Sequence, residues 1–311
     1  MEPVSPSRRG INRFAGHHPV ATLFGLGLGA SYALILVWWL AFTGVLPGGD
    51  LAERLGIAPQ EVAAGLATVA LFATTLYVTW AADGAAGIRT LARRMFRWRV
   101  NLGWWAAVLV ALPALTVGIS LLMGDELKPV ELPGLIGSQL ALLAVSFLLI
   151  NLWEETAWTG VFQTRLERGH SLFAVAALAA VPFALVHLPL QFFGGDPVTV
   201  VGLAVALATY LVFGVLVRSM FAVFLRGTGD SILLVALLHA VFNRTSGSDG
   251  IVAAVAEGDS RMLALPIAVV LLTAVTAVLF RRRLTRSYRH QLDEGRPSHE
   301  TADAGELTAV R

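Results

Sequence analysis

Cysteine is absent from the 311 residues, which excludes disulfides, a thiolate nucleophile, haem attachment and Cys-ligated zinc. Lysine is nearly absent as well: of 23 basic residues only Lys128 is a lysine, and the others are arginine. Charge of either sign is scarce, at 14% Asp, Glu, Lys and Arg, against roughly 25% in soluble domains. No G-x-x-x-x-G-K-[ST], serine elbow or H-E-x-x-H occurs, so the chemistry tied to those motifs is not expected. No A-x-A site follows the first apolar run, which reads as an uncleaved span. Neither an internal repeat nor a stretch able to fold alone as a soluble domain is visible. What is abundant is apolar side chain, 56% of the residues, with a mean hydropathy of +0.70. The fold class implied is all-α, a polytopic transmembrane helical bundle.

Eight apolar runs approach the length needed to cross roughly 30 Å of hydrocarbon at 1.5 Å per residue. They fall near 20–45, 61–82, 102–123, 134–155, 172–190, 198–217, 230–245 and 262–280, the seventh being short. Arginine alternates between the loops. Arg8, Arg9 and Arg13 precede the first run, and Arg89, Arg93, Arg94, Arg97 and Arg99 follow the second. Arg165 and Arg168 follow the fourth, Arg218 and Arg226 the sixth, and Arg281, Arg282, Arg283, Arg286 and Arg289 the eighth. The loops between are poor in basic residues. By the positive-inside rule both termini are cytoplasmic, in a multi-pass protein of the plasma membrane.

This divides the chain into a cytoplasmic segment 1–19, N-terminal membrane helices over 20–133, a core over 134–245, a last helix with its basic stop over 262–289, and a tail over 290–311. The tail is polar and expected to be disordered. Within 88–99, Ile88, Leu91, Ala92, Met95 and Phe96 recur at helical spacing among arginines, as in a helix lying in the headgroup layer. Gly25 and Gly29 form a G-x-x-x-G, a spacing that allows close helix approach but is common in membrane helices, so ordinary packing is expected there. Trp38, Trp39, Trp80, Trp98, Trp104 and Trp105 sit near run ends, as in an aromatic belt.

Polar residues in the core stand out, because a charge at the bilayer centre costs about 2.5–3.5 kcal/mol on insertion scales. Glu154 and Glu155 end the fourth run, Phe183-Ala-Leu-Val-His187 lies in the fifth, and His239-Ala-Val-Phe-Asn243 ends the seventh. Taking 134–155 and 172–190 as an antiparallel hairpin turning near 169–171 puts Glu154 and His187 at similar depth, roughly 24–26 Å from the turn. His239 and Asn243, four apart, share a helix face. Glu154 and Glu155 point about 100° apart, so one facing the histidines leaves the other to a different neighbour.

Such a set supports two chemistries. Imidazoles, a carboxylate and a carboxamide can hold a divalent metal with an open position for water, which the metal activates. Without metal, a desolvated glutamate paired with histidine can deprotonate water, while the other His and the Asn stabilise an oxyanion. Both end in amide hydrolysis. Proton-coupled transport uses similar residues, although no paired halves with interrupted helices are seen.

The three motifs, in order and on successive apolar runs, resemble the CPBP intramembrane proteases, which include the CaaX prenyl-protein endopeptidases and bacteriocin-processing and immunity proteins. Their pattern is E-E-x-x-x-R, F-x-x-x-H and H-x-x-x-[ND]. The resemblance covers about 100 residues and implies a membrane endopeptidase acting on membrane-associated proteins or peptides. It makes Glu154 the water-activating base and gives His187 the task of holding that water. His239 and Asn243 complete the site as metal ligands or oxyanion stabilisers, and Glu155 orients the neighbourhood. A metal, for example zinc, would take Glu154, His187, His239 and Asn243. The family also contains the alternative of an inactive member acting in immunity or as a scaffold. One position departs: Thr159 stands where the family has arginine, and Arg165, some 240° round the helix, cannot replace it. The lysine-poor, Ala/Arg-rich composition suggests a bacterial source, where prenylated substrates are not expected. The partners expected are the substrate and the lipid bilayer, and not nucleic acid.

Overall fold

The computed structural model describes residues 10–194 and 197–281. Seven helices in it are long and apolar enough to cross a membrane: α1 Pro19–Phe42, α2 Pro59–Met95, α3 Leu102–Leu122, α4 Leu132–Leu166, α5 Leu172–Phe193, α6 Val200–Gly227 and α8 Arg261–Leu279. Between α6 and α8 lies α7, Ile232–Ser246. The chain is a multi-pass α-helical membrane protein. The tail over 290–311, the arginines at 282–289, Arg8 and Arg9 lie outside the described residues.

Helix starts follow local chemistry. Pro19 and Pro59 occupy first-turn positions of α1 and α2, where a missing N–H costs nothing. Thr199 and Ser231 cap α6 and α7 by accepting from Gly202 N and Leu234 N at 3.0 and 3.3 Å. Between α6 and α7 the chain turns through Gly229 and Asp230, both at positive φ.

The eighth expected run is the 15-residue α7, about 22 Å long and too short to match the hydrocarbon by itself. It need not match it. α7 touches α2, α3, α4, α6 and α8, and residues from Ile232 to Val241 are mostly buried in protein. It still carries the chain from one face to the other. Ser231 Oγ donates to Arg97 O (2.6 Å) at the arginine-rich face. Beyond α7, β2 (Ala256–Glu257) pairs antiparallel with β1 (Glu126–Leu127), which joins α3 to α4 at the opposite face. Among the described residues the traverses therefore number eight, seven by the long apolar helices and one by α7 inside the bundle.

Two sequence expectations are corrected, for the tryptophans and for Arg218 and Arg226, while the G-x-x-x-G shows no close approach, as expected. Gly25 and Gly29 have no neighbour within 4 Å of where a Cβ would stand, and Gly27 instead packs on Leu71 and Thr74 of α2. Close approach is set by which face meets the partner, not by the spacing alone. Trp38 and Trp104 are core residues rather than belt: Trp38 donates to Pro59 O (2.9 Å), and Trp104 packs on Phe224 and Phe280. Trp80 and Trp98 are exposed. Arg218 and Arg226, expected in a loop, lie inside α6 and are buried. α2 also breaks at Gly84 (φ 63°, ψ −157°), so that 85–95 is a separate helical piece whose Leu91 and Met95 turn inward.

Candidate active site

α4 presents the two glutamates on a short α-helical stretch, Leu152–Ala157, held between π-helical turns at Phe147–Asn151 and Trp158–Gln163. Such turns re-aim the side chains around them and recur at functional sites. Trp158, Thr159 and Gly160 are fully or nearly fully buried against α2 and α7.

Glu155 is wholly buried and fully engaged. Arg218 of α6 grips it with a two-pronged pair, Nη1 to Oε2 and Nη2 to Oε1, both 2.7 Å. Thr159 Oγ1 donates to Oε2, and His239 Nδ1 lies 2.8 Å from Oε1. Arg218 also donates to Thr159 Oγ1 (3.3 Å) and stacks on the rings of Phe183 and Phe221, 4.6 and 5.1 Å from their centroids. An isolated charge here would be prohibitive, and the planar fork between two aromatic faces is what makes the pair tolerable.

Glu154 differs. It accepts from Trp158 Nε1 at 3.3 Å, and its Oε2 stands 4.0 Å from His239 Nδ1. Both carboxylates thus approach His239, contrary to the expectation that neighbours pointing about 100° apart must serve different partners. His239 sits in the angle between them.

A cavity of about 470 Å³ adjoins this network. His187, His239 and Asn243 line it together, so three of the five residues singled out in the sequence share one space. His187 Nδ1 faces Phe183 O at 2.7 Å; a carbonyl only accepts, so Nδ1 carries the proton and Nε2 is left for the cavity. Phe183 packs on both imidazoles, with ring centroids 4.3 Å from His187 and 6.2 Å from His239. From the histidines the cavity runs past Asn243 to Ser246, Ser248 and Arg261, at the face opposite the arginine-rich loops.

Among the described residues no three His, Asp or Glu side chains gather at ligand spacing. Nδ1 of each histidine is held by Phe183 O or Glu155, the arrangement that orients a ring for ligation through Nε2. Those two Nε2 atoms and Asn243 are the metal donors on the residues that line the cavity.

Sequence reasoning missed Arg218. Its signal is an arginine at the end of an apolar run, a position that run length alone assigns to a loop. Arg165, by contrast, pairs with Asp83 of α2 and lies away from the glutamates. The cation that pairs with Glu155 comes from α6.

Residues 136–245, about a third of the chain, match the family model described as Type II CAAX prenyl endopeptidase Rce1-like, a match that supports membership of the CPBP family. No curated protein matches the chain.

Proposed function

We propose that this CPBP-family chain is an intramembrane endopeptidase that hydrolyses peptide bonds of membrane-associated proteins or peptides with water activated by Glu154 and the histidines. The observation that carries this is the division of labour between adjacent carboxylates. Glu155 is consumed by Arg218, Thr159 and His239, whereas Glu154 keeps Oε2 free to take a proton.

In this reading a water lies between Glu154 and His187. As its oxygen bonds to the substrate carbonyl carbon, Glu154 takes its proton. The side-chain amide N–H of Asn243 donates to the oxygen that becomes negative, and Glu155 holds the ring of His239 beside it through Nδ1. The C–N bond then breaks, and the proton on Glu154 passes to the departing amine. The cavity wall of Phe213, Val217, Phe242 and Leu265 suits an extended apolar peptide entering from the face opposite the arginine-rich loops.

The test is hydrolysis of a quenched peptide library, with lipidated members, by detergent-purified protein beside Glu154→Gln and His239→Ala. A folded Glu154→Gln variant is expected to lose about 10²–10⁴-fold in rate. Undiminished cleavage by that variant would remove Glu154 from the mechanism. Metal content measured on the same samples decides the metal question: an equivalent retained by wild type and lost in His239→Ala would replace the proton-transfer route with a metal-assisted one.

A further inference from the structure

A second cavity, about 310 Å³, lies between the Gly84 break in α2 and the last turns of α4. Its charged lining is Arg94, Arg165 and Arg168 against the single carboxylate of Asp83. Arg94 reaches across to α4, donating to Gly160 O (2.8 Å) and Thr164 Oγ1 (3.0 Å), and leaves its buried Nε without a partner. Thr79, 3% exposed, also lines the cavity with an unpartnered hydroxyl. Buried donors without acceptors cost free energy unless something accepts from them. Arg168 stands exposed at the rim.

Depth favours a particular kind of acceptor. Pro59 to Gly84 is about 26 residues, or about 39 Å at 1.5 Å per residue. That exceeds the roughly 30 Å of hydrocarbon and reaches the headgroup layer. The break in α2 thus opens a notch at headgroup level on the arginine-rich face. Its surplus of guanidinium groups and the open hydroxyl of Thr79 match the oxygens of a phosphate.

We infer that this notch binds a phosphate group, supplied in the membrane by the headgroup of an anionic phospholipid. The site stands whether or not the chain cleaves peptides. Because Arg94 holds Gly160, beside the Thr159 that bonds Glu155, an occupied notch would brace the turn that presents the active-site carboxylates.

Delipidated full-length protein in neutral detergent would be titrated with short-chain phosphatidylglycerol, short-chain phosphatidylcholine and inorganic phosphate. Binding would be read by thermal shift and by mass spectrometry of the intact complex. One retained equivalent of phosphatidylglycerol, held more tightly than phosphatidylcholine and weakened about fivefold or more by Arg168→Gln and by Arg165→Gln, supports the lipid assignment. Saturable inorganic phosphate sensitive to the same substitutions, without lipid selectivity, supports the site with free phosphate as occupant. Binding unchanged in both variants, no saturable binding, or equal weakening by Arg99→Gln on the same face outside the notch, overturns the inference. Arg168 is exposed, so its variant keeps the test open if Arg165→Gln fails to fold.

Discussion

Arg218 meets Glu155 with both side chains at 0% exposure, which is why the pair must be judged as a unit. Removing one member of a buried pair leaves the other charge uncompensated and costs about 3–5 kcal/mol. Arg218→Met should therefore lower the unfolding temperature in detergent sharply. Arg218→Lys should recover part of that and not all, since an ammonium cannot make both prongs or stack on Phe183 and Phe221. Thr159→Arg alone should also destabilise, by placing a second guanidinium beside Arg218 in a closed site. If the cation has moved from one helix to its neighbour, Thr159→Arg with Arg218→Met should cost less than the two singles added. The coupling should be about 0.5–3 kcal/mol in a double-mutant cycle. Additive losses would show that Arg218 does more than supply charge to Glu155.

At the scale of elements, α2 and α7 shape the site by what they interrupt. α2 breaks at Gly84, whose φ of 63° with ψ of −157° belongs to a region open essentially to glycine alone. Nothing lies within 4 Å of where its Cβ would be, so Gly84→Ala probes backbone conformation without a clash. A loss of about 1–3 kcal/mol in thermal or denaturant unfolding is expected. No loss would mean that α2 straightens freely and that the notch is not a built feature. α7 stops after 15 residues because protein, not lipid, surrounds it, and that enclosure is what brings His239 to Glu155.

For the whole molecule, eight traverses put the start of α1 and the end of α8 at one face. The loop after α7 lies at the other, with the β1–β2 ribbon. Loop arginines predict that the first of these faces is cytoplasmic. Reporter fusions at the N-terminus, in the loop near Ser248 and after α8 should read inside, outside and inside. A loop near Ser248 that reports inside would mean α7 does not complete its crossing. The same arrangement places the cavity at His187 and His239 and the arginine-lined notch at Gly84 towards opposite faces.

The sequence by itself determined that this chain is a helical membrane protein, and where its polar groups interrupt the apolar runs. Run length and the desolvation cost of charge are local properties, and they made Glu154, Glu155, His187, His239 and Asn243 visible one motif at a time. It also showed that Thr159 lacked the arginine the family pattern has. Only the tertiary structure decided that Arg218, 63 residues from Glu155, is the cation that pairs with it. Tertiary structure also decided that Glu155 rather than Glu154 is spent on the ion pair, that both carboxylates reach His239, and that Gly27 rather than Gly25 and Gly29 forms the close contact. The reason is physical. Periodicity tells which residues share one helix face, while the partner that face meets depends on rotation, tilt and depth between helices. Those are set by packing across the bundle, and in α4 by two π-helical turns that shift the phase of everything after them.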